Sequence, residues 1–256
     1  MGECNIAEIE KSTFEELDKK FWLKPERSIE TSEEIRERLE NIGVERIDLH
    51  GLQEKFQYEI ADCTEKMYET FPQLRGYINT IKSADLPSGV LACSGPRFEG
   101  DEYKGAELQF NRNFFGNKKY SLDIVSMESN LNWRGESWLS GKGGQGVISH
   151  EIGHVMALQL NAEKVDIKIG EHDSEKLKEL QEQYMRNYEI NQICMQSIKE
   201  IGISINDIGK ELSTYGAHDF GEMFAECVSE VQSKRNARRL AVCVVNNYES
   251  IVNGRG

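Results

Sequence analysis

Apolar positions along the chain follow three successive patterns. Thr31 and Glu34 have the spacing of a capping box, and Ile35, Leu39 and Ile42 then recur at helical intervals until Gly43. A second amphipathic run extends from Leu52 to Phe71 and stops at Pro72, so residues 1–72 are expected to form an N-terminal helical region. Between Leu74 and Gly116 the runs shorten to Tyr77, Ile78 and Ile81, then Val90 and Leu91, then Ala106, Leu108 and Phe110. Glycines and prolines separate these runs, which predicts three strands. In the last strand, AELQFN, the apolar residues alternate with Glu107, Gln109 and Asn111, the pattern of a half-exposed strand at a sheet edge. From Ser174 to Ile201, Leu177, Leu180, Tyr184, Cys194, Ile198 and Ile201 predict one long helix or two, with a charged outer face. This stretch reads as a helical insertion at about 171–201. Leu240 to Val245 suits a buried strand or helix segment and falls far short of the roughly 20 apolar residues of a membrane span. The order of elements predicts an α+β protein, with residues 73–256 forming the main domain.

Composition narrows the function classes. The 31 Lys and Arg against 44 Asp and Glu leave a net charge of −13, which argues against nucleic acid as the main partner. The first residues, MGECNIAEIEK, carry neither a basic nor an apolar leader pattern, and Ile6 stands where a myristoylation site needs Ser or Thr. With no membrane partner indicated, a cytoplasmic or phage-associated location is expected, and delivery as an effector is the alternative. The six cysteines are at least 16 residues apart, which favours free thiols over a disulfide framework or a CxxC metal pair. The glycine-rich GKGGQG at 141–146 lacks the Lys-Ser or Lys-Thr of a phosphate loop and reads as a mobile hinge before a helix.

The strongest chemical signal is VISHEIGHVM at 147–156, where His150, Glu151 and His154 form HExxH. Composition alone would produce this pattern roughly 0.01 times in a chain of this length. On a helix, residues four apart share a face, so His150 and His154 can present two imidazoles to one Zn2+ ion, and Glu151 can act as general base toward its water. Ile148, Ile152 and Val155 supply a separate apolar face, and Gly153 is expected to keep the metal side uncrowded. A catalytic zinc needs a third protein ligand. HExxHxxGxxH is ruled out by Ala157 and Leu160, which leaves acidic candidates. The best segment is STYGAHDFGEMFAECVSE at 213–230. Phe220, Met223, Phe224, Cys227 and Val231 form an apolar stripe there, and Glu222 and Glu226 share another face. Asp219 and Glu222 would equally suit a helix N-cap pair.

HEIGH followed by STYGAHDFGEMFAE resembles the lethal-factor-type zincin peptidases. This gluzincin group includes the anthrax lethal factor catalytic domain, the Pro-Pro endopeptidases and related domains of phage head proteins. The family pattern places a Tyr seven residues before a ligand Glu in a run ending Phe-Ala-Glu, matched here by Tyr215, Glu222, Phe224, Ala225 and Glu226. The resemblance implies a zincin-like fold: a small twisted mixed sheet, the HExxH helix beneath it and a helical C-terminal lobe. It further implies zinc held by His150, His154 and Glu222, Glu151 as base, and Tyr215 supporting the transition state. It also casts AELQFN as the strand that aligns an extended substrate. The 68-residue step from His154 to Glu222 is longer than in compact members, consistent with the helical insertion.

The expected activity is therefore zinc-dependent endopeptidase action on a protein or peptide substrate. A phage or mobile-element structural protein, or a toxin or effector domain, would be the alternative bearer of such a site. Glu226 is expected to orient a ligand histidine through its free ring N–H. His172, His218 and Asp173 read as loop residues, and Glu171, Glu175 and Glu179 as a solvated helix face. His50 reads as a turn residue, and Lys234, Arg235, Arg238 and Arg239 as a cluster that complements a helix end or pairs with acidic groups.

Overall fold

A computed structural model describes residues 30–129 and 135–254. The expectations for Cys4, the first residues and the start of the helical region lie outside that range. The chain is a mixed α+β protein. Helix α1 (Ser32–Asn41) begins with the expected capping box: Glu34 N–H donates to the Thr31 hydroxyl while Thr31 N–H donates to the Glu34 carboxylate. Strand β1 (Arg46–Asp48) follows, and then α2 (Glu54–Thr70), which buries Phe56, Ile60, Met67 and Tyr68. The region before residue 72 thus supplies a strand as well as helices, and its buried residues belong to the same core as those that follow.

Three further strands, β2 (Ile78–Ala84), β3 (Ala92–Glu99) and β4 (Glu102–Asn111), complete a mixed sheet in the order β1-β2-β4-β3. β1 and β4 run parallel to β2, and β3 is antiparallel to β4. This order corrects the expectation for AELQFN. The segment lies in β4, which is paired on both sides, and the edge beyond it belongs to β3. The alternation that suggests an edge has a different cause here: Ala106, Leu108 and Phe110 fill the core, while Glu107 and Gln109 face the less covered side of the sheet. Glu107 pairs there with Lys82 at 2.8 Å.

Two short helices, α3 (Arg112–Phe115) and α4 (Tyr120–Ser129), lead toward α5 (Gly143–Val165), the central helix of the molecule. The glycine-rich run leads directly into α5 and supplies its first residues. α5 starts at Gly143, which has φ +67°, and Gly146 lies within the first turn, where an added Cβ would come 2.9 Å from the Gly141 carbonyl carbon. The expected insertion forms two helices, α6 (Ser174–Arg186) and α7 (Tyr188–Ile201), separated by Asn187 in the left-handed region at φ +46°. A short helix, α8 (Ile208–Glu211), precedes α9 (Phe220–Ser233) and α10 (Arg239–Gly254), and α10 buries most of the Leu240–Val245 run. α5 packs against α9, α2, α6 and β3. Among the described residues, no helix is long and apolar enough to cross a membrane, and the five described cysteines are free.

The α5–α9 crossing sets the geometry of the site. A Cβ on Gly153 would stand 2.8 Å from the Ala225 Cα, so this position admits only glycine at the observed helix separation. Gly153 therefore faces α9, the helix that carries Glu222 and Glu226 to the histidines, and its missing side chain permits the close packing of the two helices.

Candidate metal centre

His150 and His154 lie on one face of α5, and Glu222 in the first turn of α9 meets them. The closest donor atoms form a tight triangle. Glu222 Oε2 is 3.1 Å from His150 Nε2 and 3.5 Å from His154 Nε2, and the two Nε2 atoms are 3.2 Å apart. This is the group among the described residues that could hold a metal ion. Glu222 Oε2 is buried and receives no directed hydrogen bond, an orphan acceptor facing two ring nitrogens. Burial alone would raise the Glu222 carboxyl, but His150 and His154 outweigh it and hold it well below the usual carboxylate range. Glu222 is placed by its own backbone: Asp219 caps α9 and accepts from Glu222 N–H at 2.9 Å. The N-cap reading and the ligand reading are thus compatible, because one uses the main chain and the other the side chain.

One turn further along α9, Glu226 is almost fully buried and hydrogen-bonded on both oxygens. Its Oε1 lies 2.9 Å from His150 Nδ1, and Oε2 accepts from Ser140 N–H and from the Ser213 hydroxyl at 2.8 Å. The Ser140 hydroxyl donates back to the Glu226 carbonyl at 2.6 Å. An ionised carboxylate only accepts, so Nδ1 of His150 carries a proton and Nε2 is turned toward the site. Burial lowers the His150 pKa, but Glu222 and Glu226 more than offset it and raise the group to about 10. Burial likewise opposes the ionised form of Glu226, yet the His150 contact and the serine donors keep its carboxyl below the ordinary value.

Glu151 is buried beside the triangle, and its Oε2 accepts from the Ser94 hydroxyl on β3 at 2.8 Å. Tyr215 stands beside the triangle as well, in the loop entering α9. Two backbone hydrogen bonds to the neighbouring loop hold it: Thr214 N–H to Ser137 O at 2.8 Å and Tyr215 N–H to Trp138 O at 3.2 Å. The Tyr215 hydroxyl donates to Glu222 Oε1 at 3.4 Å, and its ring lies 5.6 Å from that of His150. Burial first, and then the charges of Glu222 and Glu151, push its phenol well above the usual tyrosine range.

The structure therefore brings His150, Glu151, His154, Tyr215 and Glu222 into one site. His172 pairs with Asp101 at 2.9 Å elsewhere on the surface, Asp173 caps α6, and Glu175 and Glu179 are exposed. His50 lies in a turn, where its N–H donates to Asp48. His218 is exposed; its N–H donates to the Tyr215 carbonyl at 3.1 Å, and its ring lies 5.4 and 6.2 Å from those of Tyr215 and Trp138. Arg238 pairs with the buried Glu230. Three contributions escaped sequence reading: Ser94, the serine pair Ser140 and Ser213, and Tyr184. Tyr184 registers in the sequence only as an apolar position of α6, yet burial together with the charges of Glu151 and Glu222 pushes its phenol up. None of these has a local signal, since each acts across at least 13 residues of chain. Beside the triad a cleft opens between the start of β3 and the loop before α5, with Val90, Leu91, Ala92, Leu139 and Val147 along its walls. Compared with models of known protein families, with curated proteins and with solved structures, the chain matches none of them.

Proposed function

We propose that this protein is a zinc-dependent endopeptidase of the lethal-factor-type zincin kind. The observation that carries the reading is the triangle of two Nε2 atoms and one orphan carboxylate oxygen with a glutamate and a tyrosine beside it. Donors bonded to zinc at about 2.0–2.1 Å in a tetrahedral set stand about 3.3 Å apart. The three contacts of 3.1, 3.2 and 3.5 Å bracket that spacing. The set of two imidazoles and one carboxylate, with Glu226 supporting one imidazole, is also the chemistry zinc prefers at a catalytic site.

Zinc held by His150, His154 and Glu222 would supply Lewis acidity, polarising the scissile carbonyl and acidifying a water. Glu151 accepts the proton of the attacking water and passes it to the leaving amine. The Tyr215 hydroxyl donates a hydrogen bond to the substrate oxygen as that oxygen becomes negative. Glu226 keeps His150 in the tautomer that leaves Nε2 free. A purely structural metal site would need the three ligands but neither the base nor the hydroxyl, so Glu151 and Tyr215 favour an enzyme.

The substrate follows from the sheet. Among the described residues β3 pairs only with β4, so its outer edge suits an extended peptide added through main-chain hydrogen bonds. The aligning strand is thus β3, in place of the AELQFN segment. The apolar walls of the cleft suit an apolar side chain next to the cleaved bond, and the net charge of −13 favours basic peptides elsewhere along the substrate. The test is a peptide-library cleavage profile of zinc-loaded protein against Glu151→Gln. The variant should keep full zinc by elemental analysis and lose nearly all turnover. Equal cleavage by both proteins, or none by the zinc-loaded parent, would reject the reading.

A further inference from the structure

We infer that Ser94 is the positioning residue for Glu151, tying the base to the strand along which the substrate lies; its kinetic consequence rests on the endopeptidase reading. The argument begins with strand register. Ser94 pairs with Leu108, Ala92 with Phe110 and Pro96 with Ala106, so these side chains share one face of the sheet. The β4 members of that face are fully buried, and β3 packs there against α5. Position 94 is half-buried on this face, and its neighbour along the face, Ala92, is apolar. The hydroxyl makes a single side-chain hydrogen bond, 2.8 Å to Glu151 Oε2, across 57 residues of sequence.

From the side of Glu151 the contact is equally singular. Among the described residues, Ser94 provides the only hydrogen bond to this buried carboxylate. Oε1 has no donor among the described residues. A glutamate has three rotatable side-chain bonds, and in a site this close to two histidines its carboxylate has several orientations of similar energy. Holding Oε2 fixes the plane of the carboxylate and turns Oε1 outward as the proton acceptor. When Oε1 takes a proton, the hydroxyl keeps donating to Oε2, so the hold survives the transfer and is still in place when the proton goes to the leaving amine. Ser94 also belongs to the edge strand through its backbone. A peptide added to β3 is thereby in register with the base, because one residue carries both constraints.

The test compares zinc-loaded wild type, Ser94→Ala and Ser94→Thr on one peptide, with zinc content and crystal structures of each. Ser94→Ala should lower kcat on the order of tenfold, the range for losing one hydrogen bond to a charged group. KM should stay within about twofold, as expected when an interaction acts on the chemical step. Zinc stoichiometry should not change, and the Glu151 carboxylate should rotate or split into more than one conformer. Ser94→Thr retains the hydroxyl on a strand that tolerates a branched residue and should recover most of the rate. Full kcat in Ser94→Ala, or a Glu151 side chain that stays single and unmoved there, would overturn the inference. If zinc-loaded wild type cleaves nothing, the endopeptidase reading fails by itself, and the Glu151 conformer in Ser94→Ala still decides whether Ser94 holds it.

Discussion

Glu222 and Glu226 stand one turn apart on α9, and the two turns end in opposite environments. The first turn opens on the histidine pair: Glu222 has one oxygen on the Tyr215 hydroxyl and the other directed at two ring nitrogens without a hydrogen bond. The second turn is closed: Glu226 is nearly inaccessible, and its oxygens are taken up by His150, Ser140 and Ser213. Satisfaction, not residue type, separates the two. A carboxylate with both oxygens engaged by donors stabilises its surroundings, whereas one left short of donors has free coordination capacity. Each predicted experiment below breaks or sharpens that contrast.

The largest effect should come from Glu222→Ala. It removes a proposed ligand, so zinc affinity should fall by more than the roughly 10–100-fold that loss of a supporting partner costs. A competition titration against a coloured chelator measures this, and the metal-free protein should lose some stability at neutral pH because the pairing with His150 and His154 that holds the Glu222 carboxyl low is gone, though less than in Glu226→Gln, whose carboxylate is the more buried. Glu226→Gln should show the reverse balance. Its metal affinity should drop only about 10–100-fold, while the metal-free fold loses about 3–5 kcal/mol because buried His150 loses its charged partner. Urea unfolding of both variants decides the matter, and a larger stability loss in Glu222→Ala would break the comparison.

Gly153→Ala should affect both turns together. The added Cβ would meet the Ala225 Cα at 2.8 Å, forcing α9 away from α5. Overpacking of this kind costs about 1–3 kcal/mol. The outcome is a lower thermal midpoint accompanied by weaker zinc binding, since the triangle spans these two helices.

The smallest effect is the pH dependence of the metal-free protein. His150 is raised from 6.5 to about 10, so its contribution is full below pH 6.5 and is lost as pH rises through about 10. Glu222 and Glu226 are lowered from 4.5, so their contributions are present above pH 4.5 and are lost as pH falls below it. Stability should therefore be broadest between about pH 4.5 and 6.5 and decline on both sides. In Glu226→Gln both declines should become shallower. An unchanged profile would separate His150 from Glu226 energetically despite their contact.

The parts of this arrangement that were legible in the sequence are those that depend on near neighbours. HExxH places two imidazoles on one helix face by the helical repeat alone, and the Thr31–Glu34 capping box closes within three residues. Glu222 and Glu226 were visible as a pair with one face, but nothing local distinguishes the open carboxylate from the closed one. That distinction depends on Ser140 and Ser213, which approach from other loops. AELQFN shows the limit most clearly. Its alternation correctly reports one buried and one less buried face, but an alternating strand with partners on both sides has the same pattern as one at an edge. Strand order is a property of hydrogen bonds between distant segments, and side-chain periodicity does not record it.

The sequence by itself therefore determined most of the longer elements and the placing of two histidines and a glutamate on one helix, because helix and strand periods are set by backbone geometry within a few residues. Only the tertiary structure decided that β3 forms the edge, that Gly153 serves the α5–α9 contact, that Ser94 holds Glu151, and that Glu222 meets the histidines while Glu226 is sealed beneath one of them. Each of these turns on distances between residues far apart in the chain, where a few tenths of an ångström separate a hydrogen bond, a coordinating atom and a clash.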